Sequence, residues 1–412
     1  MPKGIYECVD CGHRELFDSS EPVLEKACPR CGGDMVLVGL AGESGKGQSG
    51  PSTPKDLEEK LREFYDLELN RVEGNLLVFE VREILERDFE RVLGELEKIG
   101  YWAALKKRND NVLLFVFPAQ EVKEEKIWLP LVFLMATILT TFLAGYYLSL
   151  GYVDFLNTYG LPGVRDPYLN AVAFSVALLA IIGTHELGHK IAAAYHGVKA
   201  TMPYFIPFPN ILGTLGAVIR VKSPLPTRNA AIDLGVSGPI AGFLVAIPVT
   251  VIGLRLSVVV PSGTLSQAPG GSIVFGTNLL FVFLEEYVLK LPQNADIFLH
   301  PVAIAGWVGI LVTFLNLIPV AQLDGGHIAR SFLDERTHRY LTMAVGFVLL
   351  GMSYLWAGWL IWGMLVLLMG SFGNPGPLDE VSPVSKGRLL LVILSVVIFL
   401  VSATPRPLWA TG

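Results

Sequence analysis

Six apolar runs, at residues 127–150, 168–195, 234–256, 301–320, 341–370 and 389–403, fill most of the chain beyond its first third and limit what it can fold into. About 20 apolar helical residues cross a hydrocarbon core of about 30 Å, so each run reaches or nearly reaches across a bilayer. Charge is concentrated elsewhere. Of the 70 Lys, Arg, Asp and Glu residues, 44 precede residue 127. The sequence therefore predicts a polytopic α-helical membrane protein of about six to seven transmembrane helices with a soluble front. The front carries 18 basic and 26 acidic side chains and the body 14 and 12. Neither supplies the basic field that nucleic acid requires, so no nucleic-acid partner is expected.

The 341–370 run is long enough for a hairpin of two short helices bending near Gly351 or Gly358, or for one tilted helix. Residues 272–289 are also apolar, but Glu285 and Glu286 interrupt them, which predicts an interfacial or re-entrant segment.

No cleavable signal opens the sequence, so the front is expected to stay in the cytoplasm. Cys8 and Cys11, then Cys28 and Cys31, form two C-x2-C pairs separated by 16 residues, the spacing of a zinc ribbon over residues 1–38. Four thiolates close a tetrahedral sphere, so this zinc would be structural. His13 reads as a surface residue. With 4 basic and 7 acidic side chains, the ribbon suits a structural role or a protein partner. Residues 39–54, rich in Gly, Ser and Pro, predict a flexible linker. Residues 55–120 then predict a small α+β domain. A helix begins at the Ser52–Thr53–Pro54 start signals and runs to about Leu69. A strand follows at 76–82, an amphipathic helix at 84–99, and strands at 101–105 and 112–117 flank a turn. This domain would be a folded spacer or a substrate-selecting element.

Loop charge gives an orientation. Loop 151–167 has Arg165 as its basic residue, whereas loop 197–232 has Lys199, Arg220, Lys222 and Arg228. The positive-inside rule places the second loop in the cytoplasm. That agrees with a cytoplasmic front when 127–150 crosses outward and 168–195 returns.

The returning span holds His185-Glu186-Leu187-Gly188-His189. Residues i and i+4 share a helix face, so both imidazoles can reach one metal with Glu186 beside it, the pattern of a metalloprotease. Charged or titratable groups inside a membrane span are costly unless they serve a site. A catalytic zinc needs a third protein ligand. Tyr195 occupies the position where an extended metzincin pattern would put a histidine, and His196 reads as a surface residue. Between Lys190 and Leu323 the acids are Asp233, Glu285, Glu286 and Asp296, none with a chemical context. Asp324 has one, because Asn316 to His327 ends an apolar span in a glycine-rich turn. If 301–320 also runs inward, Asp324 reaches the depth of the two histidines, which requires zero or two crossings between residues 256 and 301.

With these motifs assembled, the sequence resembles the site-2 protease family of intramembrane zinc metalloproteases. The resemblance rests on His185, Glu186 and His189, on Asn316, Pro319, Leu323, Asp324, Gly325 and Gly326, and on Ser237-Gly238-Pro239. It covers most of residues 127–375 and looks like the branch without an inserted PDZ domain. The resemblance implies an intramembrane metalloprotease domain at 127–404 that hydrolyses peptide bonds within or beside transmembrane segments. Its partners would be single-pass membrane-protein substrates and membrane lipid, and its location the cell membrane. It also implies that His185, His189 and Asp324 bind a catalytic zinc, and that Glu186 acts as general base and then proton donor. Asn316 would either donate a hydrogen bond to the developing oxyanion or cap the ligand loop. Residues 213–219, with Gly213 and Gly216, read either as an edge strand that binds an unwound substrate or as a surface loop.

A rival serine-protease reading would use Ser237 with His300 as base. Pro239 directly after the motif, and the unused His-Glu-His set, weigh against it.

Overall fold

A computed structural model describes residues 3–8, 14–18, 35–41, 54–73, 76–108, 111–120, 126–265, 272–290, 292 and 294–411. Strands β1 (Lys3–Cys8), β2 (Arg14–Asp18) and β3 (Met35–Ala41) form an antiparallel sheet in the order β2-β1-β3. Cys8 ends β1, while Cys11, Cys28 and Cys31, like linker residues 42–53, lie outside the described residues. Residues 39–41, expected in the linker, belong to β3.

Helix α1 (Pro54–Leu61) is shorter than expected, and strand β4 (Tyr65–Glu73) takes over where the helix was to continue to Leu69. The cause is a change of period: Tyr65 and Leu67 are buried while Asp66 and Glu68 face solvent, an alternation of two that only a strand can satisfy. Strand β5 (Leu76–Ile84), helix α2 (Phe89–Lys98) and strands β6 (Tyr101–Arg108) and β7 (Asn111–Pro118) complete a sheet ordered β4-β5-β7-β6. Asp88 caps α2 by accepting from the Arg91 N–H, and Phe89, Val92 and Leu96 bury the helix against the sheet together with Leu57 and Leu61.

Helices α3 (Trp128–Thr158), α4 (Pro167–Tyr195) and α5 (Arg228–Leu256) are long and apolar enough to cross a membrane. Between α4 and α5, strands β8 (Tyr204–Pro207) and β9 (Thr214–Val218) pair antiparallel. After α5 come β10 (Val258–Pro261), β11 (Ser272–Phe275), helix α6 (Leu279–Leu289) and β12 (Ala295–Phe298). β10 pairs with β12 so that Val258, two residues past α5, faces Phe298, three residues before α7 (Pro301–Asn316). The end of α5 and the start of α7 therefore lie together, and the two helices run antiparallel.

The short α8 (Asp324–Arg330) precedes the hairpin of α9 (Glu335–Met352) and α10 (Gly358–Ser371), then α11 (Lys386–Ser402) and β13 (Leu408–Thr411), which pairs with β11. The 341–370 run is thus a hairpin, turning at residues 353–357. Glycines set how closely α5 and α7 approach. A Cβ on Gly253 would stand 2.2 Å from the Ala303 nitrogen, and one on Gly306 2.3 Å from Thr250 Oγ1.

Residues 378–380, between α10 and α11, form a strap to the front. Leu105 of β6 donates its N–H to Leu378 and accepts from Glu380, while Leu378 and Asp379 donate to the carbonyls of Leu225 and Pro226 just before α5. The four-stranded sheet is thereby fastened to the apolar helices.

Candidate metal centre

Helix α4 presents His185 and His189 one turn apart, both buried, and the turn before α8 brings Asp324 to them. His189 Nε2 lies 3.1 Å from His185 Nε2. Asp324 Oδ2 is 3.2 Å from His185 Nε2, and Oδ1 is 3.3 Å from His189 Nε2. Among the described residues this is the group of three whose donor atoms could hold a metal ion.

The triangle has the size zinc requires. Tetrahedral ligands about 2.0–2.1 Å from zinc stand about 3.3 Å from one another. Donor identity agrees too, because the Nδ1–H of His189 donates to the Leu234 carbonyl at 2.8 Å and leaves the Nε2 lone pair facing inward. Two imidazole lone pairs and a carboxylate at such separations repel unless a cation or proton lies among them. The residues present fit a bound zinc.

Helix α5 is shaped to admit the imidazoles. A Cβ on Gly238 would stand 2.1 Å from His189 Nε2, and one on Gly242 would lie 3.1 Å from His185 Cβ. Gly188 matters in the opposite sense, since its Cβ would meet the Ser237 carbonyl at 2.6 Å. Pro239 inside α5 cannot donate to the Gly235 carbonyl, which loosens the helix at the level of the site.

The loop carrying Asp324 folds back on itself. A Cβ on Gly325 would be 2.2 Å from the Leu317 carbonyl oxygen, and one on Gly326 2.5 Å from that of Val320. Ala321 adopts a left-handed φ of 51°. It is held there by Thr342 Oγ1, which accepts its N–H, and by Asn374 Nδ2, which donates to its carbonyl, both at 3.0 Å. Neither anchor was visible in the sequence, since one arrives from α9 and the other from the segment just after α10.

Glu186 is buried on the same helix, and its carboxylate accepts from the backbone N–H of Ile219 just past β9. The Asn316 amide nitrogen lies 3.3 Å from His185 Nε2 and so faces the donor set. Gly213 turns at φ 79° where a Cβ would be 2.3 Å from the Thr140 carbonyl oxygen, so close packing against α3 accounts for it. Gly216 lies within β9 at φ 101° with open space beside it, and Leu215 and Val218 of the same strand are exposed.

Two expectations fail at the near end of α4. His196 is buried, with Nδ1 2.8 Å from Glu90 Oε1 and Nε2 2.8 Å from Asp233 Oδ2. Asp233, which lacked a chemical context in the sequence, also accepts from Arg388. Ser237 and His300 lie far apart. Ser237 donates its hydroxyl to Leu234 within its own helix, whereas His300 accepts the Val302 N–H and donates its own N–H to Ser257. Twenty residues of α5 separate Ser237 from Ser257, roughly 30 Å of helix.

Residues 173–355 match the family model described as peptidase family M50. The probable zinc metalloprotease EGY1 of Arabidopsis thaliana, a chloroplastic protein, is 32% identical over 249 residues, covering 59% of this chain and 44% of that protein. Its counterpart in Oryza sativa subsp. japonica is 33% identical over 243 residues, covering 58% and 41%. The chain thus spans less than half the length of these curated relatives. The solved site-2 protease from Methanocaldococcus jannaschii aligns with 59% of this chain and 89% of its own, at 18% identity and a TM-score of 0.29.

Proposed function

We propose that this chain, whose residues 173–355 match peptidase family M50, is a zinc endopeptidase of the site-2 protease kind that cleaves membrane proteins within or beside their transmembrane segments. The observation that carries the reading is the triangle of His185, His189 and Asp324 donors, sized for one zinc and set among apolar helices. Zinc held there would polarise the scissile carbonyl and bring the pKa of water toward neutrality.

The protein's own groups complete the chemistry. Glu186, fixed by the Ile219 N–H, accepts the proton of the attacking water and returns it to the leaving amine. Asn316 points its amide at the donor set and is suited to donate to the oxyanion. Among the described residues β9 pairs only with β8, so its other edge is open to a locally unwound substrate, with Gly216 beside the path. Single-pass membrane proteins are the natural substrates of such an arrangement.

The wider architecture is proposed on the same basis. Helices α3, α4, α5, α7 and α11, with the α9–α10 hairpin, make about six to seven spans, and the segment from β10 to β12 stays on one face. We further propose residues 1–38 as a zinc ribbon around a structural zinc and residues 55–120 as a soluble α+β domain, both on the cytoplasmic side of the cell membrane in which the enzyme would sit.

Replacing Glu186 by Gln and assaying a membrane-spanning reporter in proteoliposomes tests the reading. Zinc retained with cleavage abolished supports it, and persistent cleavage overturns it.

A further inference from the structure

Four elements meet at His196, which directly follows the helix carrying both candidate imidazole ligands. Glu90 of α2 in the front lies 2.8 Å from Nδ1 and also accepts from Thr227 Oγ1 at 3.0 Å. Asp233 of α5 lies 2.8 Å from Nε2. Arg388 of α11 grips the same carboxylate, with Nε spanning both oxygens and Nη2 donating to Oδ2, the oxygen that faces His196. The Tyr195 ring packs edge-on against the imidazole. Arg87, Asp88, Arg228 and Asp379 line the adjoining cleft.

The cluster has a direct route to the metal. Asp233 immediately precedes Leu234, whose carbonyl holds His189 Nδ1. Fixing Asp233 therefore fixes the peptide that aims a ligand, and His196 fixes the end of the helix bearing that ligand. With both ring nitrogens turned to carboxylates, both must carry protons to form hydrogen bonds, which requires the imidazolium. A neutral ring would leave one carboxylate facing a lone pair.

We propose that His196 is a positioning residue, an imidazolium clamp through which the docked α+β domain, by Glu90, holds α4 and the Leu234 carbonyl in register and so sets the His189 ligand. The front would then be part of the catalytic apparatus rather than a tethered spacer. Burial disfavours the charged ring, but the hydrogen bonds it donates to Asp233 and Glu90 outweigh it and lift its pKa to about 9. Glu90, also penalised by burial, is nonetheless held below the usual carboxylate range by His196.

This inference rests on the protease reading, and the test separates the two. Full-length protein in proteoliposomes is compared with Glu90→Gln, which keeps shape and removes one charge, and with Lys199→Ala. Lys199 pairs with Glu97 at 3.0 Å across the same domain contact without touching His196. Zinc content, kcat, KM and pH profile are measured, and selectively labelled 15N-histidine reports the His196 titration. Glu90→Gln is expected to retain zinc, to lose about five-fold or more in kcat at unchanged KM, and to move the His196 titration and the alkaline limb of activity to lower pH. Lys199→Ala should leave both titrations in place. Wild-type kcat in Glu90→Gln, or an unmoved His196 titration, overturns the clamp while leaving the protease reading intact. Failure of that reading is seen separately, as cleavage by Glu186→Gln.

Discussion

No side chain fits at position 238, because a Cβ on Gly238 would lie 2.1 Å from Nε2 of His189, the nitrogen that faces the metal centre. The glycine is there for the imidazole rather than for its own backbone. Gly238→Ala should force His189 aside and weaken zinc binding about ten-fold or more, as read by competition with a chromogenic chelator. Gly151→Ala, at a helical glycine with open space around it, should bind zinc as wild type does.

Asn316 separates its two roles by which quantity it changes. As an oxyanion donor, its replacement by Ala should lower kcat about 10²- to 10³-fold with zinc retained. As a cap of the ligand loop, the same change should lower zinc content instead. The proposed mechanism predicts the first result in paired metal analysis and turnover measurements.

Asn374 anchors the loop that carries Asp324, by donating to the carbonyl of Ala321 in its left-handed conformation. Asn374→Ala leaves that carbonyl without its donor in a buried site, at a cost of about 1–3 kcal/mol. The expected outcome is a lower unfolding temperature together with weaker zinc retention.

That His185, His189 and Asp324 could come together was legible in the sequence because each belongs to a local signal. The i, i+4 histidines and the Asp324-Gly325-Gly326 turn each imply a backbone geometry, and burial cost inside apolar helices makes titratable residues conspicuous. What could not be read depends on contacts between distant segments. His196 has no sequence mark distinguishing a surface residue from one clamped by Glu90 and Asp233, 106 and 37 positions away. Ile219, Thr342 and Asn374 act through one hydrogen bond each, set by tertiary structure alone. The overrun of the first helix into β4 has another cause: Leu57 and Leu61 establish a helical period, and the change to strand period begins without a proline or glycine to mark it.

Stability should carry the signature of His196. A pKa lifted from 6.5 to about 9 means the clamp contributes fully below about pH 6.5 and is lost as pH rises through about 9. Thermal stability of detergent-solubilised protein should therefore fall between about pH 6.5 and about pH 9 and level off above that, by the linkage relation. His196→Gln should be less stable at pH 7 and show a flatter dependence over that interval.

The most direct test of the metal centre is an anomalous difference map collected at the zinc edge, from crystals of zinc-replete protein that cleaves a membrane-spanning reporter. The account predicts a peak within the triangle of His185 Nε2, His189 Nε2 and the Asp324 carboxylate, lost in Asp324→Asn. An active sample with no zinc at that position would contradict it.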